Sequence, residues 1–140
     1  KFLRDRNHYL GIDSNNGFTT WAKRSGIHTM NFDVRHRDWP MADCVVIQGS
    51  LYQFIPNQKE ILHKGLNAAR KRLIVSEPVH NLSQYSLWLS RLSRLMVNPG
   101  LKFWSNERFT SDSLTSVYQD SGCTNIFDNE RELMGIFDLE

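Results

Sequence analysis

The chain has 140 residues and a formal net charge of +2, with 40% apolar and 23% charged residues. This length predicts one domain, residues 1–140, large enough to bury roughly two thirds of the surface that the unfolded chain exposes. The composition is typical of a soluble globular protein, and no apolar run approaches the ~18 residues of a membrane span. The small charge and the lack of a long basic run argue against a nucleic-acid-binding surface. We therefore expect a cytoplasmic protein that binds neither nucleic acid nor a membrane.

Neither of the two cysteines has a neighbour at metal-ligand spacing, and the five histidines are scattered. We expect no metal centre, and no serine, cysteine or histidine arrangement identifies a catalytic residue. His36 and His80 fall near the predicted binding edge, and both are expected to be solvated. Cys44 lies within an apolar run and is predicted to be a buried small hydrophobic residue.

In chain order, the predicted elements alternate between strands and helices, which predicts an α/β fold with a mostly parallel sheet and helices on both faces. The connection 128–132 is too short for a crossover helix, so the last two strands are predicted to form an antiparallel pair. We predict a helix end over 1–6, strands over 8–12, 27–32, 44–47, 72–75, 123–127 and 133–137, and helices over 18–24, 57–69, 82–97 and 111–119.

Two of these elements carry sharper predictions. The strand over 44–47 is four continuous apolar residues, a pattern typical of a central parallel strand buried on both faces. The helix after Pro56 has Asn57 at its start and Glu60 three residues later, which predicts a capping box.

Acidic residues follow the first two predicted strands, at the edge where open parallel sheets bind ligands. The two carboxylate oxygens of Asp13 suit the vicinal hydroxyls of a ribose, although a helix cap or a loop acid is the alternative. The carboxylate of Asp33 and the backbone N–H of Val34 suit the amine and a ring nitrogen of a purine. A turn residue, or a salt bridge from Asp33 to Arg35 or Arg37, is the alternative.

The segment after the third predicted strand supplies further candidates. Gln48 ends that strand, and Gly49 permits a ligand to approach the backbone closely. Tyr52 and Gln53 are substrate-side candidates, although the same segment is also typical of an ordinary strand-to-helix turn. Glu77, after the fourth strand, is a candidate at the rim of a pocket, with a loop acid as its alternative.

Together these motifs resemble the class I S-adenosylmethionine-dependent methyltransferases, which have a Rossmann-like sheet. The resemblance covers residues 8–137 and implies methyl transfer from S-adenosylmethionine. It implies Asp13 at the ribose, Asp33 and Val34 at the adenine, and Gln48 beside the methionine part and the methyl acceptor. The near-neutral charge favours a small-molecule acceptor, whose identity the sequence does not indicate. The motifs are Tyr-Leu-Gly-Ile-Asp-Ser (9–14), Phe-Asp-Val (32–34), Ala-Asp-Cys-Val-Val-Ile-Gln-Gly-Ser (42–50) and Arg-Leu-Ile-Val-Ser-Glu-Pro (72–78).

The chain departs from this family because it has no glycine-rich loop, which in the family follows a first strand in the middle of the sheet. Since the chain also starts at Lys1, we expect an N-terminally truncated domain that binds the cofactor weakly on its own. The missing strand is expected in the parent protein, or from a second chain in a homodimer that completes the sheet. Otherwise the flanking strands, 8–12 and 44–47, are expected to pair directly.

Two other functions compete with methyl transfer. The missing loop favours a degenerate methyltransferase fold that serves as a binding or dimerisation module without catalysis. The acid after the strand over 8–12 also suits the ribose of a nicotinamide cofactor in an oxidoreductase. The antiparallel last strand pair argues against the oxidoreductase.

Overall fold

The computed structural model describes residues 9–79 and 108–139, which belong to two compact units, 1–39 and 40–140. It is mixed α/β, as the sequence predicts. The predicted helix over 82–97, the helix end over 1–6 and His80 lie outside the described residues. None of the helices described is long and apolar enough to cross a bilayer.

The first unit contains a two-stranded parallel sheet and one helix. Strand β1 (Gly11–Asp13) pairs with β2 (Thr29–Asn31), and helix α1 (Asn16–Arg24) connects them. The helix starts where the side chain of Asn15 accepts a hydrogen bond from the N–H of Phe18. Because β1 and β2 are parallel, their carboxyl ends lie at the same edge of the sheet.

The second unit contains a four-stranded sheet whose order is β3-β4-β6-β5. The β3–β4 pair is parallel, whereas β6 lies antiparallel to both β4 and β5, which confirms the predicted antiparallel last pair. Insertion of β6 between β4 and β5 makes β6 an interior strand of this sheet. The elements are β3 (Ala42–Gln48), a 3₁₀ helix (Leu51–Phe54), α2 (Gln58–Ala68), β4 (Ala69–Pro78), α3 (Ser111–Asp120), β5 (Asn125–Asp128) and β6 (Glu132–Asp138).

The two helices of this unit start differently. At α3, the side chain of Thr110 accepts from the N–H of Ser113, and the side chain of Ser113 accepts from the N–H of Thr110. At α2 the predicted capping box is wrong, because the side chain of Asn57 makes no cap hydrogen bond. Its φ of −93° and ψ of 20° lie outside the extended conformation that a capping residue adopts.

The structure also corrects the environment of β3. Among the described strands β3 pairs with β4 alone, so it lies at an edge of its sheet rather than in the middle. Cys44 is exposed and Val46 is 60% exposed, whereas Ile47 is buried. An apolar run is compatible with a buried strand, but the strands and helices packed beside that strand determine whether it is buried. Direct pairing of β1 with β3, one of the three expected outcomes, is not among the described ladders.

Tyr118 anchors α3 to the four-stranded sheet. Its buried hydroxyl lies 3.2 Å from the carbonyl oxygen of Val75 and 3.1 Å from that of Leu133, on adjacent strands. Its ring meets Phe137 edge-on, with the ring centroids 5.9 Å apart. Gly135 leaves room for this ring, because a Cβ at that position would lie 2.8 Å from it.

The Tyr118→Phe variant is expected to lower the free energy of unfolding by about 1–2 kcal/mol. The substitution keeps the ring contacts but removes the donor shared by two buried carbonyl oxygens. Urea denaturation followed by circular dichroism measures this difference. Unchanged stability would show that the hydroxyl does not anchor the helix.

Candidate functional site

Asp13 is the last residue of β1, and only one of its two carboxylate oxygens accepts a hydrogen bond within the described residues. Its Oδ1 accepts the N–H of Asn15 at 2.7 Å, and its main-chain oxygen accepts the N–H of Phe32 at 3.0 Å. Within residues 9–79 and 108–139, Oδ2 accepts no hydrogen bond. A carboxylate has about four lone-pair sites, so Asp13 retains acceptors for two vicinal hydroxyls. Asn15, rather than Asp13, caps the following helix. The geometry fits the predicted ribose contact.

Asp33 is held by a neighbouring arginine two residues beyond it. The Arg35 side chain donates from Nε to Oδ1 at 3.0 Å and from Nη2 to Oδ2 at 2.7 Å, and its backbone N–H also donates to Oδ1 at 3.0 Å. This side-chain hydrogen bonding lowers the pKa of Asp33 from 3.8 to about 2. His36 Nε2 lies 3.7 Å from Oδ2. The salt bridge that was the alternative to adenine binding is therefore present, and a ligand amine would share Asp33 with Arg35.

Val34 lies in the turn that follows β2. Its carbonyl oxygen accepts the indole N–H of Trp39 at 3.0 Å. No acceptor for the N–H of Val34 occurs in the described part of the chain, so that donor fits a ring nitrogen. The first unit thus brings Asp13, Asp33 and Val34 to the carboxyl-end edge of one parallel pair, as the sequence predicts for the strand order.

The Asp33→Asn variant is expected to lose less stability in acid than the wild type. The folded-state pKa of Asp33, about 2, is below its ordinary value of 3.8, so its ion pair stabilises the fold above about pH 4. This contribution is lost as the pH falls from about 4 towards 2. Because Asp33 is 32% exposed, the effect is expected to be only about 0.5–1 kcal/mol. Urea unfolding at pH 6, 4, 3 and 2 measures it, and parallel pH profiles for the two proteins would contradict it.

In the second unit, the chain turns sharply where β3 ends. Gln48 is exposed and pairs with Ser76 of β4. Gly49 has a φ of 57° and donates its N–H to the carbonyl oxygen of Ser76 at 2.8 Å. This left-handed conformation favours glycine and directs the backbone into the 3₁₀ helix. The turn leaves the side chain of Gln48 at the sheet's carboxyl-end edge.

The structure corrects the expected position of Glu77. It is not a loop acid at a pocket rim, because it lies within β4 and is fully buried. Its Oε1 accepts the N–H groups of Ser50 and Leu51, each at 2.7 Å, and its Oε2 accepts that of Tyr52 at 3.4 Å. Burial raises the pKa of the Glu77 carboxyl, and these hydrogen bonds oppose that shift. The carboxylate is directed at the backbone of this turn.

Tyr52 and Gln53 lie on the 3₁₀ helix that follows. Tyr52 is buried, and the guanidinium carbon of Arg108 lies 3.8 Å from its ring centroid, a cation–π contact. Gln53 is half-buried and donates its backbone N–H to the carbonyl oxygen of Ser50 at 3.2 Å. Arg108 is not among the residues that the sequence predicts for this site, because it lies 56 positions from Tyr52 and no local pattern indicates the contact.

Sequence comparisons find no relative: no protein-family model and no curated protein matches the chain. Solved structures do match. Magnesium protoporphyrin IX methyltransferase (ChlM) from Synechocystis PCC 6803, with bound SAH, is 14% identical with a TM-score of 0.60. The match covers 91% of this chain and 63% of that one. PigF with SAH is 15% identical with a TM-score of 0.62, over 95% of this chain and 43% of that one.

The chain therefore spans less than two thirds of the solved structures it resembles. Another match, described as a pericyclic reaction enzyme, is 14% identical with a TM-score of 0.61, so the fold is not confined to methyl transfer. That match covers 95% of this chain and 36% of the other. Identities this low establish architecture alone. The chain has the class I methyltransferase fold, as its sequence motifs predict.

Proposed function

We propose that the chain binds the adenosine part of S-adenosylmethionine and serves a methyltransferase that acts on a small molecule. The observation that carries this proposal is the carboxylate of Asp13. Asp13 is the last residue of β1 and has unused acceptor sites within the described residues, in a fold whose solved examples include a methyltransferase with bound SAH. Vicinal ribose hydroxyls are donors that suit two adjacent carboxylate oxygens.

Two other residues of the first unit, Asp33 and Val34, extend this assignment. The N–H of Val34 would donate to a ring nitrogen of adenine, and Asp33 would accept from the exocyclic amine while still held by Arg35. Gln48, Tyr52 and Gln53 are assigned to the side of the methyl acceptor, as the family resemblance implies. Tyr52 would act there through its position beside Arg108 rather than as an exposed side chain.

The bound cofactor would supply an electrophilic methyl group. Methyl transfer to a nucleophile requires chiefly proximity and alignment, so a site without an obvious base is compatible with it. The side chains assigned here are acceptors, donors and an aromatic ring, which bind and orient. The modest net charge of +2 supports a small-molecule acceptor over a nucleic acid.

A second candidate is a binding module of the same fold without methyl transfer. The clamp of Arg35 on Asp33 favours it, because that clamp competes with an adenine amine for the same carboxylate oxygens. A folded chain that binds no adenosine would support this second function.

Thermal denaturation with added ligand tests the proposal. With 5 mM S-adenosylhomocysteine, we expect a small rise in the midpoint, because a Kd near ~1 mM corresponds to stabilisation of about 1 kcal/mol at that concentration. NADH also contains an adenosine part, so at the same concentration it is expected to give a rise no larger than that with S-adenosylhomocysteine. A rise with NADH but not with S-adenosylhomocysteine would instead support the nicotinamide-dependent oxidoreductase.

We also propose that a second copy of the chain pairs with the edge of β3 opposite β4. The support is the exposure of Val46 on a strand whose described ladder has β4 on one side only. Apolar edge strands of this kind are usually covered. Sedimentation velocity is expected to show a dimer at micromolar concentration, and a monomer at 100 µM would contradict this.

A further inference from the structure

We propose that Glu77 is the positioning residue of the turn that carries the acceptor-side candidates, residues 48–53. Its carboxylate binds three consecutive backbone N–H groups, those of Ser50, Leu51 and Tyr52, from a strand about 26 positions away in sequence. The effect of Glu77 on the turn is inferred from geometry alone. Any consequence of Glu77 for catalysis rests on the proposed function.

The contact is unusual because a fully buried acid is costly unless it is well paired. The surroundings supply compensation: three N–H donors converge on two oxygens, and the cation of Arg108 acts on the same carboxylate electrostatically. Leucine, of similar size, would bury no charge. A carboxylate at this position is therefore explained by the donors it holds, and not by packing.

The hydrogen bonds determine the shape of the turn after Gly49. They fix the N–H of Ser50, which precedes the 3₁₀ helix, and those of its first two residues, Leu51 and Tyr52, which have no acceptor within the helix. Fixing the N–H of Tyr52 also places its ring under the guanidinium of Arg108. Because Glu77 occupies these donors, the N–H groups of Ser50, Leu51 and Tyr52 are not available to a ligand.

The two carboxylate oxygens of Glu77 accept different numbers of hydrogen bonds, so different substitutions of Glu77 are expected to affect the three N–H groups differently. Oε1 accepts the N–H groups of Ser50 and Leu51 at 2.7 Å, whereas Oε2 accepts that of Tyr52 at 3.4 Å. In Glu77→Gln, the amide oxygen is able to replace one carboxylate oxygen only. It is expected to take the position of Oε1, so that the NH₂ group faces the N–H of Tyr52. In Glu77→Leu, all three N–H groups lose their acceptor.

Amide hydrogen exchange of the whole chain, resolved by NMR, tests this pattern. Glu77→Leu is expected to lose at least tenfold protection at Ser50, Leu51 and Tyr52. Glu77→Gln is expected to lose it chiefly at Tyr52 and to keep the other two. Leu114→Ala, a core change on α3, is the control for general destabilisation, and it is expected to affect amides throughout the unit rather than these three selectively.

A second readout uses the same spectra and does not require a destabilised variant. In the wild type, the amide shifts of Ser50, Leu51 and Tyr52 are expected to follow one common titration with a midpoint above the ordinary glutamate pKa, because burial raises the pKa of Glu77, and Glu77→Gln removes that titration. Unchanged protection of all three amides in Glu77→Leu, or the persistence of their common titration in Glu77→Gln, would overturn the inference. Neither measurement needs a ligand, so both test Glu77 independently of the proposed function.

Discussion

The Asp13→Ala variant is expected to bind S-adenosylhomocysteine at least about tenfold more weakly than the wild type, in an NMR titration that measures millimolar Kd values. Hydrogen bonds to a charged acceptor contribute about 1.5–3 kcal/mol, and about 1.4 kcal/mol corresponds to a factor of ten in Kd. Asp13 also accepts the N–H of Asn15, so the overall fold is checked by the dispersion of the amide spectrum.

Asp38→Ala is the matched control for this experiment. It removes the same charge from an exposed position in the same unit, and its Kd is expected to stay within twofold of the wild type. Equal weakening by both variants would indicate a general effect of charge. Unchanged binding in Asp13→Ala would remove the ribose assignment.

The largest loss of stability is expected from Gly135→Val, at about 3 kcal/mol of the free energy of unfolding. A Cβ at this position of β6 would lie 2.8 Å and 2.9 Å from two ring carbons of Tyr118. The ring has little freedom to move, because its hydroxyl is bonded to the sheet and its edge packs on Phe137. Overpacking of this kind typically costs about 1–3 kcal/mol, and the two additional methyl groups of valine put it at the upper end.

Gly65→Ala serves as the comparison for that variant. Its Cβ would lie 3.2 Å from Leu73 Cδ1, the end of a side chain that is able to turn, and alanine in a helix is favoured over glycine by about 1 kcal/mol. Its stability is expected to stay within about 1 kcal/mol of the wild type. Urea denaturation measures both, and a Gly135→Val protein as stable as the wild type would show that Tyr118 is not fixed.

The arrangement of strands and helices follows well from local sequence. Turn residues and apolar periodicity locate α1, α3 and the last two strands to within two or three residues. The extent of β4 (Ala69–Pro78) is not predictable in this way, because its first residue, Ala69, is followed by three exposed basic residues. Its ladder partners on β3 and β6 are distant in sequence, and they extend the strand over residues that look like a solvated helix end.

The candidate site also combines contacts that local sequence indicates with contacts that depend on residues distant in sequence. Asp33 and Arg35 are two positions apart, so the sequence indicates both possible roles of Asp33, a salt bridge to Arg35 and a contact with adenine. The role of Glu77 is not evident, because its partners are 25–27 positions away and are main-chain groups without a residue signature. The exposure of Cys44 was also not predictable, since it depends on which strands flank β3.

The central claim is that Asp13, Asp33 and Val34 form an adenosine-binding edge, and a two-dimensional amide NMR titration with 5′-methylthioadenosine tests it most directly. This ligand contains the adenosine part and lacks the amino acid part. The predicted result is a saturable shift of the amides of residues 13–15 and 33–35, with those of α3 unchanged. Saturable shifts elsewhere, or none at these residues with 10 mM ligand, would contradict the claim.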